Sequence, residues 1–72
     1  MNFKELRLKR LRHGITARQM AEFLGASYGW VRQLEKGHYR GPCVPMWRER
    51  YETALRQIIE GRNEQHRLGL EK

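Results

Sequence analysis

The chain's capacity for recognition chemistry lies in its arginines, which make up 11 of its 15 basic side chains. The stretch YGWVRQLEK, residues 28–36, sets Arg32 beside Gln33, with Lys36 one helical turn further on. A guanidinium offers paired N–H donors that match a phosphate or the O6 and N7 edge of guanine, and a glutamine carboxamide matches adenine. Groups suited to covalent work are sparse. There is no aspartate; His13, His38 and His66 are far apart; Cys43 has no base beside it. No glycine-rich phosphate loop occurs, and no ligand spacing suggests a metal. An enzyme is therefore not expected, nor a cofactor, and each histidine reads as a surface or cap residue.

Seventy-two residues suit one domain with a compact core. A single cysteine allows no intramolecular disulfide and fits a reducing compartment. The opening residues, MNFKELRLKRLRHG, contain neither an uninterrupted apolar run nor a small-residue cleavage site. They predict no signal peptide and no membrane span, and so a cytoplasmic protein. The net charge is +7, and residues 1–40 hold nine basic against three acidic side chains, whereas residues 41–72 hold six against five. A positive field concentrated in one half favours a polyanionic partner, nucleic acid before membrane; the plainer reading is a surface made basic for solubility.

Four helices position these groups. The first spans residues 3–13, with Asn2 as N-cap and Gly14 as its stop; Phe3, Leu6 and Arg10 share its inward stripe, with Leu11 beside them. An arginine on an inward stripe needs a partner. The second follows Thr16 in the capping box TARQ, turns Met20, Ala21 and Leu24 inward, and stops at Gly25. The third spans residues 28–36, between Ser27 as N-cap and Gly37. At about 100° per residue, Val31 and Leu34 mark its buried side, and Gly29 and Lys36 lie opposite, flanked by Arg32 and Gln33. The loop HYRGPCVP then leads to a fourth helix over residues 45–60, with Trp47, Tyr51, Ala54, Leu55 and Ile58 on its core face and Gly61 as its stop. Residues 62–72, polar apart from Leu68 and Leu70, read as a frayed tail after a domain of residues 1–61.

Two short helices about a glycine turn, the second with a polar outer face, are the ingredients of a helix-turn-helix. Ala21, Gly25 and Val31 stand where the helices cross, in the turn, and in the core of the second helix. From this point the chain resembles the phage repressor and Cro type of helix-turn-helix, the XRE family. The match runs over RLRHGITARQMAEFLGASYGWVRQLEKG, residues 10–37, about half of the chain. It meets the pattern of a Gly, Ile or Leu, Ser or Thr entry, an Ala and a Gly in the turn region, and a final Leu-Glu-x-Gly. The resemblance implies an all-α, compact four-helix domain, five-helix in some variants, with the third helix in the DNA major groove. It also implies a salt bridge between Arg10 and Glu35. One departure is Ala17, where many members carry a glutamine that binds phosphate or braces the reading helix.

On this reading Ser27, Tyr28, Gly29, Arg32 and Gln33 face base edges, although Arg32 could instead touch phosphate. The helix start at Ala17, with Arg18, Lys36, His38, Tyr39 and Arg40, is placed to hold phosphates. Trp30 either covers the rim of the core or packs beside the sugar-phosphate backbone. Met46 and Ile59 lie off the core line of the fourth helix, as a self-association surface or as ordinary exposure. The expected function is that of a phage or bacterial transcription regulator, a homodimeric repressor on a palindromic operator in double-stranded DNA. The competing expectation is an antitoxin that binds both its operator and a toxin, with the tail folding on that partner.

Overall fold

A computed structural model of the chain describes residues 2–70, with side chains as far as Arg62. It contains α1 (Phe3–Arg12), α2 (Ala17–Leu24), α3 (Tyr28–Lys36) and α4 (Val44–Leu70), and among the described residues no strand. No helix among them is long and apolar enough to cross a membrane.

Local chemistry sets the starts of the first three helices. The Asn2 side chain accepts a hydrogen bond from the Glu5 amide at 2.8 Å, and Ser27 Oγ accepts one from the Trp30 amide at 3.1 Å. At α2 the capping box closes in both directions: Thr16 Oγ1 accepts from the Gln19 amide (3.1 Å), and Gln19 Oε1 accepts from the Thr16 amide (2.9 Å). These contacts satisfy amides that a helix start leaves without a partner.

The same three helices end alike. Gly14, Gly25 and Gly37 take left-handed φ values of 66°, 65° and 73°. The amide after each reaches back to a carbonyl of the last turn: Ile15 to Arg10, Ala26 to Ala21, and His38 to Gln33. This closure needs a residue without a Cβ penalty at positive φ, which only glycine supplies at little cost.

Gly61 behaves differently. The sequence predicts a stop there, yet α4 continues through it to Leu70, and Gly61 is not among the positive-φ glycines. A glycine inside a helix costs about 1 kcal/mol relative to alanine, which is too little to break a helix anchored on both sides. The anchor is Arg62, whose guanidinium donates to the His13 carbonyl at 2.6 Å and to Gln19 Oε1 at 3.3 Å. The end of α1 and the capping box of α2 are thereby tied to α4. The expected tail of residues 62–72 is thus helical to Leu70; the side chains of Leu68 and Leu70 lie outside the described residues.

The helices bury Leu6, Ile15, Ala17, Met20, Ala21, Val31, Tyr51, Ala54, Leu55 and Ile58 together. α2 packs against α3 and α4, and α1 against the same two. Phe3 meets the Tyr51 ring edge-on at 5.6 Å, and Leu24 and Ile59 close the margin. Two positions are settled by the packing and not by helical spacing. Leu11 is half exposed, because the inward stripe of α1 is occupied by Leu6 and Arg10 and Leu11 is turned away from it. Ile15, a turn residue outside every helical pattern, is fully buried because the closure at Gly14 folds it inward.

Through this core runs one polar network. Arg10 Nε and Nη2 donate to the two carboxylate oxygens of Glu35 at 2.9 and 3.0 Å, and Arg10 Nη1 donates to the Ile15 carbonyl at 2.8 Å. The Tyr51 hydroxyl donates to Glu35 Oε2 at 2.5 Å and accepts from Arg10 Nε at 3.2 Å. Arg7 adds a looser contact to Glu35 at 3.7 Å from the solvent side. Burial works to lower the Arg10 pKa, but the hydrogen bond and charge of Glu35 outweigh it and raise that pKa. Burial, followed by the hydrogen bond and charge of Glu35, pushes the Tyr51 phenol well above its ordinary value, against the lowering effect of Arg10.

Two outcomes follow from this network. Arg10→Met strands a buried carboxylate and is expected to destabilise the fold by about 3–5 kcal/mol in urea titration; a loss below about 1 kcal/mol would show the pair to be dispensable. Because the folded state holds the Tyr51 proton more tightly than the unfolded state, its contribution is complete below the ordinary tyrosine pKa of about 10 and is lost as pH rises beyond it. Stability of the wild type should therefore fall more steeply than that of Tyr51→Phe in alkaline titration, and parallel curves would contradict this.

Candidate nucleic-acid interface

The network fixes one side of α3 and leaves the other to solvent. Val31, Leu34 and Glu35 are buried, whereas Ser27, Tyr28, Gly29, Gln33 and Lys36 are exposed and Arg32 is partly covered. The covering group is Tyr28: Arg32 Nη1 donates to its hydroxyl at 3.2 Å, across one helical turn. The Arg32 guanidinium lies 6.0 Å from the Tyr28 ring centroid, and that of Arg18, arriving from α2, lies 5.9 Å from it. Both distances suit cation–π attraction. The described salt bridges all end on Glu35, so neither cation makes one among the described residues. Two guanidiniums beside one neutral ring form a surface suited to an anion or a base edge.

Gly29 sits on this face with open space around it: a Cβ built there meets nothing within 4 Å. Its φ is not in the left-handed region, so nothing inside the protein requires a glycine at this position. Ser27 uses its oxygen as the cap of α3, leaving its hydroxyl proton to offer outward.

Trp30 belongs to a different structure. Its ring meets Tyr39 edge-on at 4.9 Å and Trp47 at 5.5 Å, and the Arg50 guanidinium lies 5.5 Å from the Trp47 ring. This cluster pins the loop after α3 to the first turn of α4. Tyr39 also lies over Gly41, where an added Cβ would collide with its phenol ring. Trp30 Nε1 is shielded within the cluster and has no hydrogen-bond partner among the described residues. The expected phosphate roles of Trp30 and Tyr39 are accordingly narrowed, since much of each ring is engaged by aromatic packing.

Ala17 is 6% exposed and lies within the core, so what it can present at the start of α2 is its backbone amide. Lys36, His38 and Arg40 are exposed beside or just after α3. Sequence reasoning missed Trp47 and Arg50 as supports of the loop. Helical spacing places Trp47 on the core face, and the partner that draws it to the rim, Trp30, is a long-range one. Among the described residues no group of His, Cys, Asp or Glu side chains could hold a metal ion.

Since the space above Gly29 is empty, Gly29→Ala should leave the fold intact and raise its stability by up to about 1 kcal/mol in denaturant unfolding. A marked loss would mean that this glycine serves the fold and not the outer surface. Set beside known proteins, the chain matches no family model, no curated protein and no solved structure.

Proposed function

We propose that this chain is a sequence-specific DNA-binding transcription regulator of the repressor and Cro helix-turn-helix type, with α3 entering the major groove. One observation carries the reading: the outer face of α3 is exposed, cationic and, among the described residues, free of carboxylate partners, while its inner face is locked to α1 by a buried ion pair and to α4 by a buried hydrogen bond. A rigid helix with such a face is what reading base edges requires. Tyr28, Arg32 and Gln33 are the base-reading residues, with Ser27 at the entry and Gly29 allowing close approach of the backbone. Arg18, Lys36, His38 and Arg40, with the amide of Ala17, hold phosphates on either side. Trp30 and Tyr39 brace the loop that carries Arg40.

One such unit reads only a few base pairs, so the working form is a homodimer on a palindromic operator, repressing by occupancy. Phe23 and Met46, 56% and 41% exposed, supply apolar surface between α2 and α4 for self-association. Ile59, by contrast, packs against the core. An antitoxin is the second reading, favoured by the continuation of α4 to Leu70, which offers a partner a longer helix than the domain itself needs.

Selection from random duplexes tests this function, and a two-fold symmetric motif is the expected result. Arg32→Ala should relax preference at one position in each half-site, at a cost of about 1–3 kcal/mol. Arg40→Ala should weaken all duplexes alike and reduce the salt dependence by about one phosphate contact. An unchanged motif with Arg32→Ala would refute the assigned reading face, and one chain per duplex by sedimentation would refute the dimer.

A further inference from the structure

We propose that Tyr28 and Arg32 read two neighbouring base pairs as one unit, a thymine beside a guanine, with Arg18 positioning the tyrosine ring; this rests on the DNA-binding reading above. Three observations point to it. The Arg32 guanidinium donates to the Tyr28 hydroxyl at 3.2 Å, so the two side chains approach the groove as a pair. That guanidinium lies 6.0 Å from the ring centroid, less than two base-pair steps of about 3.4 Å each, so the targets of the two side chains are adjacent. Tyr28 as a whole is 46% exposed although two cations flank its ring.

The chemistry of each group selects its base. A guanidinium has five N–H donors, and the bond to Tyr28 uses one, leaving a complete two-donor edge for guanine O6 and N7. The Tyr28 oxygen accepts from Arg32, which leaves the residue its hydroxyl proton, a donor suited to thymine O4, and beside it the apolar edge of its ring. The one apolar group on the floor of the major groove is the C5-methyl of thymine. Gly29, with empty space above it, lets the backbone come close enough for a side chain at the first turn of α3 to reach that floor. Arg18 comes from the preceding helix, and its guanidinium 5.9 Å from the ring weakly favours the direction in which the ring points, as an exposed cation–π contact does. Arg18 is therefore a positioning residue as well as a cation near the phosphates.

The test uses the full chain and the duplex obtained by random selection, with affinity read by fluorescence anisotropy. Replacing the thymine by deoxyuridine removes only the methyl group. It should weaken wild-type binding about fourfold, the worth of one methyl withdrawn from water, and leave Tyr28→Ala unaffected. Tyr28→Phe keeps the ring but releases Arg32. It should retain the methyl effect while losing part of the penalty for replacing guanine by 7-deazaguanine. Arg18→Ala should reduce the ratio between thymine and deoxyuridine duplexes, which a simple phosphate contact would leave unchanged. Equal methyl effects in wild type and Tyr28→Ala would overturn the proposal, as would a selected motif with no thymine beside a guanine. A selection with no preferred duplex would remove the DNA-binding reading itself, a result distinguishable from either of these.

Discussion

The buried pairing of Arg10 with Glu35 is the constraint on which the rest of the structure depends. It joins the third turn of α1 to the last turn of α3, and the Tyr51 hydroxyl brings α4 to the same carboxylate. Removing two charges from water costs several kcal/mol per ion, and that cost is met only when geometry is good and the remaining polar atoms are satisfied. Both conditions hold: the pairing is bidentate, and the remaining guanidinium donors include one to the Ile15 carbonyl. An apolar triad of similar volume could be as stable. What the polar network adds is direction, because paired donors and acceptors tolerate little rotation or sliding, whereas packed methyl groups tolerate more.

That directionality matters for the exposed face. α3 has nine residues, and helices this short are marginal in isolation. Its orientation must come from outside itself. Glu35 holds its last turn from beneath, Ser27 caps its first turn, and Trp30 locks its flank to Tyr39 and Trp47. Tyr28, Arg32 and Gln33 are therefore presented by a backbone held at both ends. A surface meant for a shaped partner gains from such preorganisation, since less ordering remains to be done on binding.

Much of the fold was legible because local chemistry decides it. The caps at Asn2, Thr16 and Ser27 and the stops at Gly14, Gly25 and Gly37 act over five or six residues, and helical spacing identified Leu6, Met20, Val31, Leu34 and Tyr51 as core. Gly61 shows the limit of that logic. Its local signal resembles that of the other stops, but Arg62 finds acceptors at His13 and Gln19, 49 and 43 residues earlier in the chain, and those contacts favour continuing the helix. Ile15 shows the same limit, since it lies outside every helical stripe and is buried by the closure at Gly14, whereas Ala17 stands three and four residues before Met20 and Ala21 on one stripe, so its burial follows from spacing.

The sequence by itself determined the first three helices, their caps, the excess of arginine and the polar outer face of α3, because each depends on residue type and short spacing. Whether Arg10 and Glu35 would meet, which rings would surround Trp30, and that Arg18 would come to stand beside Tyr28 were decided by tertiary structure. Those contacts join residues far apart in the chain, and their geometry follows from how the helices pack and not from the pattern along any one of them.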